Sequence, residues 1–130
     1  MEFRIIYRPF PNEIKGLVGG GVEKESDDCY LILIDSDLSE QKQDFTLRHE
    51  LAHIAMNHFD YTLPFDEVCK TGSFGEGWEQ REKEADSIAE KMTVDELLSL
   101  WDHPILRSIR LSKDDLLKLN WLPESAGMIP

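Results

Sequence analysis

Read along the chain, apolar side chains gather into short blocks separated by polar turns. Phe3–Tyr7 is β-branched and aromatic and is closed by Pro9 and Pro11, which predicts a strand. Ile14–Val22 holds Gly16, Gly19, Gly20 and Gly21 and reads as a weak strand or a turn, with the glycines giving a hairpin its flexibility. Tyr30–Ile34 (YLILI) is the most apolar run. Five such residues between Asp27-Asp28 and Asp35-Ser36-Asp37 suit a buried strand.

Beyond Asp37 the spacing of apolar positions changes from strand-like to helical. Ser39 is placed as an N-cap, and a helix is predicted from about Glu40 to His58, with Leu47, Leu51, Ile54 and Ala55 on its core side. Residues 59–77, with Pro64, Gly72, Gly75 and Gly77, read as a loop of the length of lids and binding loops. Trp78–Met92 predicts a second helix, and Thr93 with Glu96 forms a capping-box pattern for a short third helix through Trp101. Pro104 is a candidate start for another helix, and Ser112 with Asp115 makes a weaker capping box before Leu116, Leu117 and Leu119. Trp78, Trp101 and Trp121 read as core or lid packing. The expected architecture is α+β, one domain over residues 1–130, ending in a helical arm over 94–120.

Charge narrows the function classes. There are 26 Asp and Glu against 14 Lys and Arg, a formal charge of -12. Nucleic-acid affinity rests on clustered Lys and Arg, so direct binding to DNA or RNA is not expected, nor is docking on anionic membrane. Ile105–Leu117 resembles a helix-turn-helix only faintly, because Asp114 and Asp115 would repel phosphate. No run approaches the roughly 18 apolar residues of a membrane span, and the N-terminus lacks a signal-peptide pattern, so a cytoplasmic protein is expected. Cys29 and Cys69 are too few for a disulfide framework and read as free thiols.

The candidate chemistry sits in Phe45-Thr-Leu-Arg-His49-Glu50-Leu-Ala-His53, which contains HExxH. Residues four apart share one face of a helix, so both imidazoles can reach one ion at about 2.0–2.1 Å. Glu50 is offset from them, near enough to take a proton from a water held at the ion. Zinc needs a third protein ligand. A His six residues after His53 is absent: Phe59 stands there, Met56 replaces the usual Gly, and His58 is one residue short. A Glu from the next helix is available instead, in Glu82-Lys-Glu-Ala-Asp86. Glu82, Ala85, Asp86 and Ala89 fall on one helical stripe whose alanines allow close approach. Glu84 is about 200° around the helix from Glu82 and is expected to face away. Asp86 is placed to orient a ligand His through its second ring nitrogen. His58 and His103 read as surface or capping residues, while His103 and Tyr61 are candidate donors to a tetrahedral oxyanion.

Residues 31–53, from LILIDSDLSE to FTLRHELAH, together with Glu82-Lys-Glu-Ala-Asp-Ser-Ile-Ala89, resemble the ImmA/IrrE family of metallopeptidases. The resemblance covers residues 30–92. Glu90-Lys-Met-Thr93 departs from it, standing where the family has an apolar pair and Met-Pro, and Ile88 replaces an aromatic residue. The resemblance implies a gluzincin-like, zincin-type fold: a small sheet beside two metal-binding helices. It also implies His49, His53 and Glu82 as zinc ligands, Glu50 as general base, and a transcriptional repressor as substrate. The expected activity is therefore that of a zinc endopeptidase of narrow specificity, cutting a basic DNA-binding regulator of a prophage or mobile element. The substrate would add as a strand near Tyr30–Ile34. Two other readings are a non-catalytic antirepressor module that binds a regulator, and a zinc hydrolase of a small molecule.

Overall fold

The computed structural model describes residues 1–12, 19–58 and 78–110. The elements are β1 (Glu2–Arg8), β2 (Gly20–Ser26), β3 (Cys29–Asp35), α1 (Glu40–Ala55), α2 (Trp78–Lys91), α3 (Val94–Leu98) and β4 (Ile105–Arg110). The strands form one sheet in the order β2-β3-β1-β4. β1 runs parallel to both β3 and β4, and β2 is antiparallel to β3. The α+β architecture read from the sequence is the one observed.

The core forms where helices lie on one face of the sheet. Phe3 and Ile5 from β1, and Tyr30, Ile32 and Ile34 from β3, meet Leu47, Leu51 and Ile54 of α1 and Leu97 of α3. Trp101 packs edge-on against Phe3 at 4.9 Å between ring centroids. Fully burying each such aliphatic side chain stabilises the fold by about 1.5–3 kcal/mol before entropy is counted. β3 is buried on both faces, since Leu33 is only 2% exposed as well. This explains why YLILI is continuous rather than alternating.

Local signals fix the start of each helix. The Ser39 side chain accepts from the Lys42 N–H at the head of α1, and both halves of the Thr93–Glu96 capping box are present at α3. Buried Gln43 donates to the Ser36 and Leu38 carbonyls, tying the first turns of α1 to the end of β3. α1 ends at Ala55 rather than His58. Asn57 adopts φ 55°, a left-handed conformation that Asn tolerates better than most residues, and this turns His58 back toward the helix.

Two expectations are corrected. Residues 105–110 are a strand and not part of a helical arm. Ile105, Leu106 and Ile109 resemble a helical stripe in sequence, but the open edge of β1 offers main-chain partners along six registered positions and recruits them as β4. β3 is also an inner strand, held on both sides by β1 and β2, so no substrate can add along Tyr30–Ile34. The edge on that side of the sheet is β2. The weaker capping box of Ser112 and Asp115 with the leucines after it, the loop 59–77, Cys69 and Trp121 lie outside the described residues; within them, Cys29 is a free thiol.

Candidate metal centre

α1 and α2 pack side by side because Ala85 and Ala89 are fully buried at their seam, leaving no side-chain bulk between the helices. The Arg48 guanidinium of α1 donates to the Ala89 carbonyl and pairs with Asp44 one turn back, which holds the two helices in register. Across the seam, His49 Nε2 lies 3.0 Å from His53 Nε2 and 3.1 Å from Glu82 Oε1. His53 Nε2 is 2.6 Å from Glu82 Oε2. These three residues offer ligand atoms all within 4.8 Å of one another, and no other such cluster occurs among the described residues.

The donor set fits zinc. Two imidazole nitrogens and a carboxylate oxygen are borderline-soft and hard donors of the kind zinc takes. Tetrahedral bonds of about 2.0–2.1 Å would set ligand atoms about 3.3 Å apart, so a bound ion would widen the 3.0 and 3.1 Å spacings slightly and the 2.6 Å His53–Glu82 spacing more. The far nitrogen of each imidazole has its own partner. His49 Nδ1 is 2.8 Å from Asp86 Oδ1, and His53 Nδ1 is 2.9 Å from His58 Nδ1.

The electrostatics are those of a closely coupled group. Burial alone would lower the His49 imidazole. Its hydrogen bond to Glu82 and the charges of Glu50, Glu82 and Asp86 outweigh burial and raise it to about 9. Burial works against ionised Glu82, yet hydrogen bonds from both imidazoles bring its carboxyl down to about 2. Glu50 is 5% exposed, and burial pushes its carboxyl up, against the pull of His49 and His53. A carboxyl raised in this way is a better proton acceptor than one on the surface.

A cleft of about 190 Å³ opens on His49 and Glu82 of the trio, with His53 buried behind them. Glu50, His49, Glu82 and Asp86 line its polar side, Phe45 and Thr46 form another wall, and Gly19 and Gly20 bring in the start of β2. The glycines are there for space. A Cβ on Gly20 would lie 2.6 Å from Thr46 Cγ2, 2.7 Å from the Leu33 carbonyl and 3.2 Å from Glu50 Oε2.

Of the residues singled out in the sequence, His49, Glu50, His53, Glu82 and Asp86 come together. Glu84 stays out of the trio but does not face solvent alone, since its Oε1 is 2.9 Å from His58 Nε2. His58 is 4% exposed, so its expected surface role is corrected. His103 is exposed in the turn before β4, beside the Glu2–Cys29–Ile105 end of the sheet, whereas Gly20 pairs with Ile34 at the other end. It does not reach the trio. Tyr61 lies outside the described residues. The cleft walls Gly19, Gly20, Phe45 and Thr46 were missed as site residues, and only the glycine pair preceding a short strand hinted at a close approach.

An α+β sheet-and-helix domain with a His-His-Glu cluster beside a buried glutamate defines a metallopeptidase-like class. The model of the IrrE N-terminal-like domain, Peptidase_M78, matches residues 2–101, and the chain belongs to this family. Searches of curated proteins and of solved structures returned no match. Among the described residues no helix is long and apolar enough to cross a membrane.

Proposed function

We propose that the chain is a zinc-dependent endopeptidase of narrow specificity, in which His49, His53 and Glu82 hold the metal and Glu50 is the general base. The observation that carries this reading is the three-ligand cluster, two of whose members, His49 and Glu82, line a cleft together with the buried Glu50. Three protein ligands suit a catalytic zinc, which keeps a position for water and substrate, whereas structural zinc is closed by four. When bound, zinc supplies a Lewis acid that polarises a carbonyl and makes water more acidic. Glu50 takes the proton of the attacking water and passes it to the leaving amine. Asp86 holds the His49 ring through Nδ1.

The geometry also favours an extended substrate. The cleft is smaller than the roughly 300–1,000 Å³ of sites that enclose a small-molecule ligand. It accepts one residue of a longer chain and opens beside the outer edge of β2. The Asp35 N–H bonds to the Gly19 carbonyl, so strand alternation turns the main-chain groups of Gly20 and Val22 outward. A peptide adding there as a strand would pass Glu50. The substrate proposed is a basic DNA-binding repressor in the cytoplasm, encoded near this chain in a prophage or mobile element. The formal charge of -12 suits such a partner.

Glu50→Gln separates chemistry from binding. Zinc and partner binding should persist, while cleavage, followed by mass spectrometry of the fragments, should fall at least about 100-fold. A wild-type protein that binds its partner at saturating zinc without cutting it would make the chain an antirepressor module. Turnover of a small molecule without any protein substrate would make it a small-molecule hydrolase.

A further inference from the structure

His58 enters the site from behind. It follows His53 by five residues, is turned back by the left-handed Asn57, and is 4% exposed. Its Nδ1 lies 2.9 Å from His53 Nδ1, and its Nε2 lies 2.9 Å from Glu84 Oε1. The other oxygen of Glu84 accepts from Gln80 at 3.2 Å.

With neutral rings, only one proton arrangement both satisfies Glu84 and leaves His53 Nε2 free to bind a metal. Ionised Glu84 can only accept, so the His58 proton sits on Nε2 and donates to it. His58 Nδ1 is then a lone pair and accepts from His53 Nδ1–H. His53 Nε2 is then left as the lone pair that a metal shared with His49 and Glu82 requires, whereas without a metal the same nitrogen lies 2.6 Å from Glu82 Oε2 and can donate to it. The reverse arrangement, with a proton on His53 Nε2, would set the His58 Nε2 lone pair against the Glu84 carboxylate, two acceptors 2.9 Å apart.

We propose that Glu84 and His58 form a positioning relay that fixes the orientation and tautomer of His53 for metal binding, as Asp86 does directly for His49. The relay rests on the metal site proposed above. It gives both ligand imidazoles an outer carboxylate, one at the first remove and one at the second, from residues two apart on α2. Outer hydrogen bonds of this kind raise ligand basicity and remove ring rotation that the metal would otherwise have to freeze.

The test is the zinc dissociation constant of the full chain, measured by competition with a chromophoric chelator, with thermal unfolding of each variant recorded alongside. His58→Leu fills the space without an acceptor and should bind zinc about 10–100-fold more weakly. His58→Asn places an amide oxygen near the Nδ1 position and should recover most of that loss. Glu84→Leu should give an intermediate loss. Wild-type affinity in His58→Leu, or an Asn variant as weak as the Leu variant, would reduce His58 to packing and overturn the relay. If His58→Leu does not fold, Glu84→Leu decides, because Glu84 is not buried, and unchanged zinc affinity there overturns the relay. A wild-type chain that takes up no zinc at all would instead overturn the metal site itself.

Discussion

At His49 burial and charge pull in opposite directions, and charge prevails. The imidazole is held at about 9 against an ordinary 6.5, and Glu82 at about 2 against 4.5. The raised imidazole contributes stability in full below pH 6.5 and loses it as pH climbs through 9. The lowered carboxyl contributes above pH 4.5 and loses it as pH falls through 2. Zinc has to displace the proton that His49 carries at neutral pH, so its affinity should rise with pH up to about 9. Calorimetry at pH 7 in two buffers of different ionisation enthalpy should read at least about one proton released per zinc. No release would show that His49 is not a ligand. Asn57 is a second residue with a defined cost. Asn57→Val forces a β-branched side chain into a left-handed φ and should destabilise the fold by about 1–2 kcal/mol in denaturant melts, while Asn57→Gly should be close to neutral.

The element that governs the site is the α1–α2 seam, since the trio exists only while Glu82 stays close to the HExxH face. Ala85→Leu would overpack that seam, with an expected loss of about 1–3 kcal/mol in thermal or urea unfolding and weaker zinc binding. Ser87→Leu, on the exposed face of α2, should change neither. Equal effects from the two would contradict close packing at Ala85. The seam was legible in the sequence because its signals are local: His49 and His53 four apart, Glu82, Ala85, Asp86 and Ala89 on one stripe, and Ser39 and Thr93 as caps. β1 and β3 were legible for the same reason. β4 was not, because Ile105–Arg110 takes its form from the open edge of β1, a partner about a hundred residues away. The buried role of His58 was hidden too, since it depends on one left-handed residue that sequence periodicity does not report. The placement of β2 at the edge, and so the groove beside Glu50, depended on a glycine pair that reads equally well as a turn.

For the whole molecule, the charge of -12 governs encounters. Gel-shift titration at physiological salt should show no binding to duplex DNA, and micromolar binding would contradict the charge argument. Association with a basic regulator, measured by surface plasmon resonance, should slow as salt rises, because exposed charges steer the approach and ions screen them. A salt-independent on-rate would point to a partner recognised without charge. The proposed zinc is held by two imidazoles and a carboxylate, with a coordination position left open. Zinc-edge X-ray absorption of the zinc-loaded chain tests it most directly. Two nitrogen scatterers with imidazole character are expected at about 2.0–2.1 Å, together with oxygen from Glu82 and from solvent. A sulfur scatterer near 2.3 Å, which only Cys29, Cys69 or a methionine could supply, or a centre closed by four protein ligands, would contradict it.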